Sequence, residues 1–114
     1  MFKQILTCIR PDTEVPFFHD APQYSTIQQL RTMLKEMHPE LVISSETTLS
    51  SDETTFTNVL TYPDKAAYDT YAALVKSTVP NWPTVRNQYY KDNGHHLIAE
   101  LKEENQAAKV AFTI

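Results

Sequence analysis

Four side chains combine a chemistry-bearing type with a position that suggests a pocket: Asn58, Tyr71, Trp82 and His96. Asn58 alternates with Phe56, Leu60 and Tyr62, so its amide stands in an apolar row. There it must find a hydrogen-bond partner or bear a cost of about a few kcal/mol. A ligand's carbonyl or hydroxyl meets that need, and so does a neighbouring backbone group. Tyr71 and Trp82 belong to an aromatic group with Tyr68, Tyr89 and Tyr90. Such rings join apolar area to a polar tip, which suits small-molecule pockets and interfaces as well as a core margin. His96 shares a strand face with Ile98 and Glu100. A half-buried His beside a carboxylate serves as general acid or base, or as a satisfied structural histidine. Arg86 follows Trp82 by one helical turn. It can clamp an acidic ligand or stack on a ring, and a solvated Arg is the simpler reading.

The remaining titratable groups suggest less. His95 and His96 are adjacent, so on a strand they point to opposite faces and cannot easily share a metal. His95 reads as a solvated strand start. His19 lies in a loop, and His38 ends a helix where it can interact with the dipole. Glu103 and Glu104 read as a solvated end. Cys8 sits in an apolar run, as a small hydrophobe would. The single glycine, Gly94, compares with about eight at average usage. Walker loops, dinucleotide fingerprints and nucleophile elbows need glycines at several positions, so those classes are excluded. The expectation is a site with no metal and no cofactor.

The 114 residues suffice for one domain spanning 1–114, and 41% hydrophobic content can supply its core. A net charge of −4 argues against binding nucleic acid or an anionic membrane. No run approaches the ~20 apolar residues of a membrane span. Met1 to Arg10 does not fit a signal peptide. A soluble, cytoplasmic protein is expected.

The elements that would position these groups follow from the apolar pattern. Phe2 to Ile9 reads as an inner strand, with Leu6 and Cys8 on one side and Ile5, Thr7 and Ile9 on the other. Pro11 to Gln23 is a long loop whose Phe17 and Phe18 cap the core, line a pocket or meet a partner. A helix begins at Ser25, with Gln28 completing a capping box. Its stripe is Ile27, Leu30, Leu34 and Met37, and Pro39 ends it. Leu41 to Leu49 and Thr54 to Tyr62 form a hairpin around Ser50-Ser51-Asp52-Glu53. Asp64 caps a second helix whose inner face is Ala67, Tyr71, Leu74, Val75 and Thr78. A short helix over Thr84 to Lys91, a turn at Asp92-Asn93-Gly94, a strand at 95–103 and a last strand at 109–114 complete the chain. The order is βαββαβ: a ferredoxin-like α+β domain, its antiparallel sheet covered by helices on one face. Two main helices cannot cover both faces of a threonine-rich sheet that carries apolar residues on each. A homodimer is therefore expected.

This order, and the passage Tyr62-Pro63-Asp64-Lys65-Ala66-Ala67-Tyr68-Asp69-Thr70-Tyr71, resemble the dimeric α+β barrel superfamily, in particular its antibiotic-biosynthesis-monooxygenase-like members. The resemblance implies dimerisation through sheet faces and a pocket between sheet and helices. It also implies an activity range that includes cofactor-free oxygenases of aromatic polyketides and haem-degrading enzymes. The haem degraders use an Asn early in the first strand, a Trp, and a His in the second helix. Here the first strand has no Asn, the second helix has no His, and Trp82 follows that helix. The expectation is a small-ligand-binding or monooxygenase-like protein taking a small apolar or aromatic ligand against Asn58, Tyr71, Trp82 and His96. The alternative is a non-catalytic protein–protein interaction module using the 11–23 loop and the C-terminal Val110–Ile114 strand.

Overall fold

A computed structural model describes residues 1–104. Strand β1 (Phe2–Ile9) leads through two short 3₁₀ turns, Phe18–Asp20 and Pro22–Tyr24, into helix α1 (Ser25–Met37). A hairpin of β2 (Ser44–Leu49) and β3 (Thr55–Tyr62) follows. Helices α2 (Lys65–Thr78) and α3 (Thr84–Asp92) precede the last described strand, β4 (His96–Glu103). The sheet is antiparallel, in the order β2-β3-β1-β4. This is the ferredoxin-like arrangement, with one extra helix before the last strand. The expected final strand at 109–114 lies outside the described residues. Among the described residues, no helix is long and apolar enough to cross a membrane.

The pleat divides the sheet into a helix-covered face and a bare one. On β1 the covered residues are Phe2, Leu6 and Cys8, and on β3 they are Phe56, Leu60 and Tyr62, all buried. Beneath α1 and α2, Phe2, Leu60 and Tyr62 pack with Leu34, Tyr71 and Val75. Beneath α3 and the long loop, Cys8 and Phe56 pack with Phe17, Phe18, Tyr89 and Tyr90. Phe17 and Phe18 therefore cap the core, being 2% and 1% exposed. That burial removes them from the partner-facing role that an interaction module would give the 11–23 loop.

Local chemistry accounts for the ends of the elements. The Ala67 N–H donates to Asp64 Oδ1 at 2.8 Å, the expected cap of α2. At the hairpin, Asp52 Oδ1 accepts from Ser50 Oγ, Thr54 Oγ1 and the Thr54 N–H. Those bonds hold its carboxyl down at about 2. Gly94 turns the chain from α3 into β4 at φ +71°, where a side chain would be strained.

Three expectations need correction. No capping box forms at Ser25, because Gln28 Nε2 donates instead to the Phe18 carbonyl at 3.2 Å, tying α1 to the loop. Met37, the last residue of α1, is 61% exposed rather than part of a buried stripe. Strand β2 begins at Ser44 rather than Leu41, since the Leu41 and Val42 N–H groups turn back to the His38 carbonyl.

Replacing Asp64 by Ala leaves one orphan donor at the α2 N-terminus and is expected to cost about 1 kcal/mol. Phe18→Ala removes a ring that is 1% exposed and should cost about 3–5 kcal/mol. Urea midpoints of the two variants, measured with the wild type, check both the sizes and the order.

Candidate functional site

Two of the cavities between the helical layer and the covered face of the sheet share walls. One, of about 240 Å³, opens toward β2 and is lined by Gln28, Arg31, Thr32 and Lys35 of α1 and by Ser45, Thr47, Phe56 and Asn58 of the hairpin. The other, of about 260 Å³, lies under α2 and is lined by Gln4, Leu60, Tyr62, Tyr68, Tyr71, Ala72 and Trp82. Leu6, Arg31 and Arg86 line both, so the two cavities adjoin along the sheet–helix cleft.

The polar groups arrive there by different routes. Asn58 faces the cleft because it is paired with Leu6 on β1 and Thr47 on β2, both on the covered side. Its amide oxygen accepts from Ser45 Oγ of the edge strand at 3.3 Å. The partner is thus a side-chain hydroxyl rather than the backbone group that sequence reasoning weighed. Tyr62 Oη donates to Gln4 Oε1 at 3.1 Å across the β3–β1 pair. Burial raises the pKa of Tyr62 and of Tyr71, so both phenols stay neutral near pH 7. Trp82 follows α2 and presents its ring to two guanidinium groups, Arg31 at 4.3 Å and Arg86 at 4.9 Å from the ring centroid. Arg86 is therefore half-buried in the cleft rather than solvated.

The expected four-residue pocket does not form as a single group. Asn58 lines the β2-side cavity, while Tyr71 and Trp82 line the α2-side cavity. His96 joins neither, because it pairs with Ile9 on the bare face of the sheet and is exposed. The pairing of Cys8 with Leu97 turns Leu97 inward and His96 outward. His95 is the buried histidine, 7% exposed, where a solvated strand start was expected. Its ring lies 5.4 Å from Tyr90, 6.0 Å from Phe17 and 6.1 Å from Tyr89. Its Nδ1 has no hydrogen-bond partner among the described residues. Burial lowers its pKa, Arg10 adds to that effect, and Asp12 opposes it.

Sequence reasoning missed Arg31. The signal was its spacing: it stands four residues after Ile27 and three before Leu34, inside the apolar stripe of α1. Cys8 is fully buried and desolvation pushes its thiol up to about 11, so it is an inert core residue. Among the described residues, no group of three or more His, Cys, Asp or Glu side chains is placed to hold a metal ion.

No protein-family profile matches the chain, and no curated protein matches it. Solved structures do resemble it. A dimeric ferredoxin-like protein from an uncultured marine organism superposes with a TM-score of 0.57 at 10% identity, over 89% of this chain and 92% of that one. A second dimeric ferredoxin-like protein, also from an uncultured marine organism, gives 0.54 at 9% identity over 91% and 96% of the two chains. An antibiotic biosynthesis monooxygenase is a looser match, 0.42 at 14% identity over 92% and 99%. The two dimeric ferredoxin-like structures share the ferredoxin-like fold expected from the order of elements. At such identities the likeness extends to the fold alone.

His95 makes stability depend on pH. Unfolded, it titrates near 6.5, whereas folded it titrates lower. Between those values the unfolded chain binds more protons, so stability falls as pH drops below about 6.5. His19, whose pKa burial also lowers, acts in the same direction. Urea midpoints measured from pH 7.5 down to about pH 5 should decline. A His95→Gln variant should show a shallower decline, and an unchanged slope would refute the assignment.

Proposed function

We propose that this chain is a small-ligand-binding protein of the dimeric α+β barrel type, its ligand held in the cleft between helices and sheet. The observation that supports this best is the cleft itself. Its adjoining cavities, of about 240 and 260 Å³, share Leu6, Arg31 and Arg86 as walls. Each is close to the ~300 Å³ at which ligand pockets begin. An apolar and aromatic frame with a few convergent polar groups is the usual make-up of such a site. Asn58, Tyr71 and Trp82 keep their proposed roles in this reading, and His96 has none.

A second copy of the chain covers the bare face in this reading. Ile5 and Val59 are half-buried there, and Ile9 and Ile98 are 42% and 47% exposed, with threonines between them. Covering such a face with its own symmetry mate removes apolar area from water on both copies. The dimeric ferredoxin-like proteins that resemble this chain are consistent with that assembly.

Trp82 is the only tryptophan, so its emission reports on the cleft without a label. A panel of small aromatic compounds should shift that emission in the wild type. The shift should be lost in Ala72→Phe, which fills the α2-side cavity from a half-buried wall position. Equal responses from both proteins would place binding elsewhere. Sedimentation at low protein concentration should give a dimer for the wild type and a folded monomer for Ile98→Lys, whereas a folded wild-type monomer would contradict the assembly.

A further inference from the structure

The cleft gathers positive charge that forms no ion pair with an acidic side chain among the described residues. Arg31 comes from α1 and Arg86 from α3, and both guanidinium groups lie over the Trp82 ring. Each of the two is only partly exposed. Buried charges are ordinarily paired, because removing an ion from water costs several kcal/mol per group. Here the ion pairs among the described residues involve neither of them. Lys35 also lines the β2-side cavity, and among the described residues no carboxylate lines either cavity. This concentration of cations occurs in a chain whose net charge is −4.

The hydrogen bonds leave donors to spare. Arg31 Nη1 donates to Gln28 Oε1 at 3.2 Å, and Arg86 Nε donates to Asn87 Oδ1 at 3.1 Å. A guanidinium has five N–H donors in a planar fork suited to carboxylate and phosphate oxygens. The contacts with Trp82 offset part of the burial cost and hold the groups in place. They do not use the in-plane donors or cancel the like-charge repulsion. Burial lowers the pKa of both, that of Arg86 to about 10, and each of Arg86 and Lys35 is lowered further by Arg31.

We infer that the ligand is a small organic oxyanion, whose carboxylate or phosphoryl oxygens are bound by Arg31 and Arg86 while its apolar or aromatic body lies against Leu6, Phe56 and Trp82. The inference rests on the cleft being the binding site and adds the chemical class of what enters it. An anion there supplies the missing counter-charge and accepts the unused donors. Asn58, on the wall of the same cavity, faces the rest of the molecule.

The test titrates the full-length protein with benzoate, phenyl phosphate, inorganic phosphate and neutral benzyl alcohol, read by Trp82 fluorescence and by amide NMR shifts. Benzoate or phenyl phosphate should bind at least about tenfold more tightly than benzyl alcohol. Arg86→Gln and Arg31→Gln should each weaken the anions by about 10- to 100-fold, the loss of a charge-assisted hydrogen bond. The same variants should change benzyl alcohol binding less than about threefold, a smaller step than one such bond is worth. Arg86→Lys and Arg31→Lys retain charge without the fork and should fall between wild type and Gln. They also keep the test open if a Gln variant does not fold. If benzyl alcohol binds and the anions bind no better, the oxyanion inference fails and the cleft reading stands. If no probe binds, both fail. If the anions bind the Gln variants as well as the wild type, the two arginines are not the site and the inference is overturned.

Discussion

The register between β1 and β3 is the constraint on which the rest depends. Leu6 stands opposite Asn58, Gln4 opposite Leu60 and Phe2 opposite Tyr62. With that pairing, the sheet side of the cleft and the floor of the core come from one set of alternate residues. A slip of one residue on β1 would send Leu6 and Cys8 to the bare face and bring Ile5 and Thr7 under the helices. The covered side has more to lose, since Cys8 and Tyr62 are fully buried there and Leu6 and Leu60 nearly so. The same register extends through β1 to β4 and decides that Leu97 turns inward and His96 outward.

The helical layer is held over this floor by an aromatic knot. Phe18 packs against Tyr24, Trp82, Tyr89 and Tyr90 at centroid distances of 4.6 to 6.3 Å. Two hydrogen bonds tie the loop to α3: the Phe18 N–H donates to Tyr90 Oη at 3.2 Å, and Tyr89 Oη donates to the Pro16 carbonyl at 2.6 Å. The loop is thereby part of the core, and α3 carries Arg86 to the same ring that α1 reaches with Arg31. Binding groups fixed by packing lose little freedom when a ligand arrives, which is the physical basis of preorganisation. A cavity flanked by Arg31 and Arg86, which form no ion pair among the described residues, is the local cost of that arrangement, offset by the surrounding aromatic packing.

Most of the scaffold was legible in the sequence, because its signals are local. The alternation of Phe56, Asn58, Leu60 and Tyr62 placed the amide on the covered face, and the Asp64 cap marked the start of α2. What sequence missed depends on pairing and packing between distant segments. Whether His95 or His96 faces inward follows from the partners of β1, and nothing in the dipeptide records it. Gln28 has the right spacing for a capping box, but the Phe18 carbonyl brought beside it competes successfully for its amide. Arg31 was legible in principle as a cation inside an apolar stripe. Its meaning appears only once Trp82 and Arg86, about fifty residues further along, are folded against it.

The central claim is that the sheet–helix cleft is where this protein binds its ligand. The most direct measurement is a crystal structure of the protein grown with benzoate and, separately, with no added ligand. The account predicts ordered density in the cleft over Trp82, within hydrogen-bonding distance of Arg31 and Arg86. A cleft closed by rearranged side chains, with both guanidinium groups turned out to solvent or paired with carboxylates of the protein itself, would contradict it.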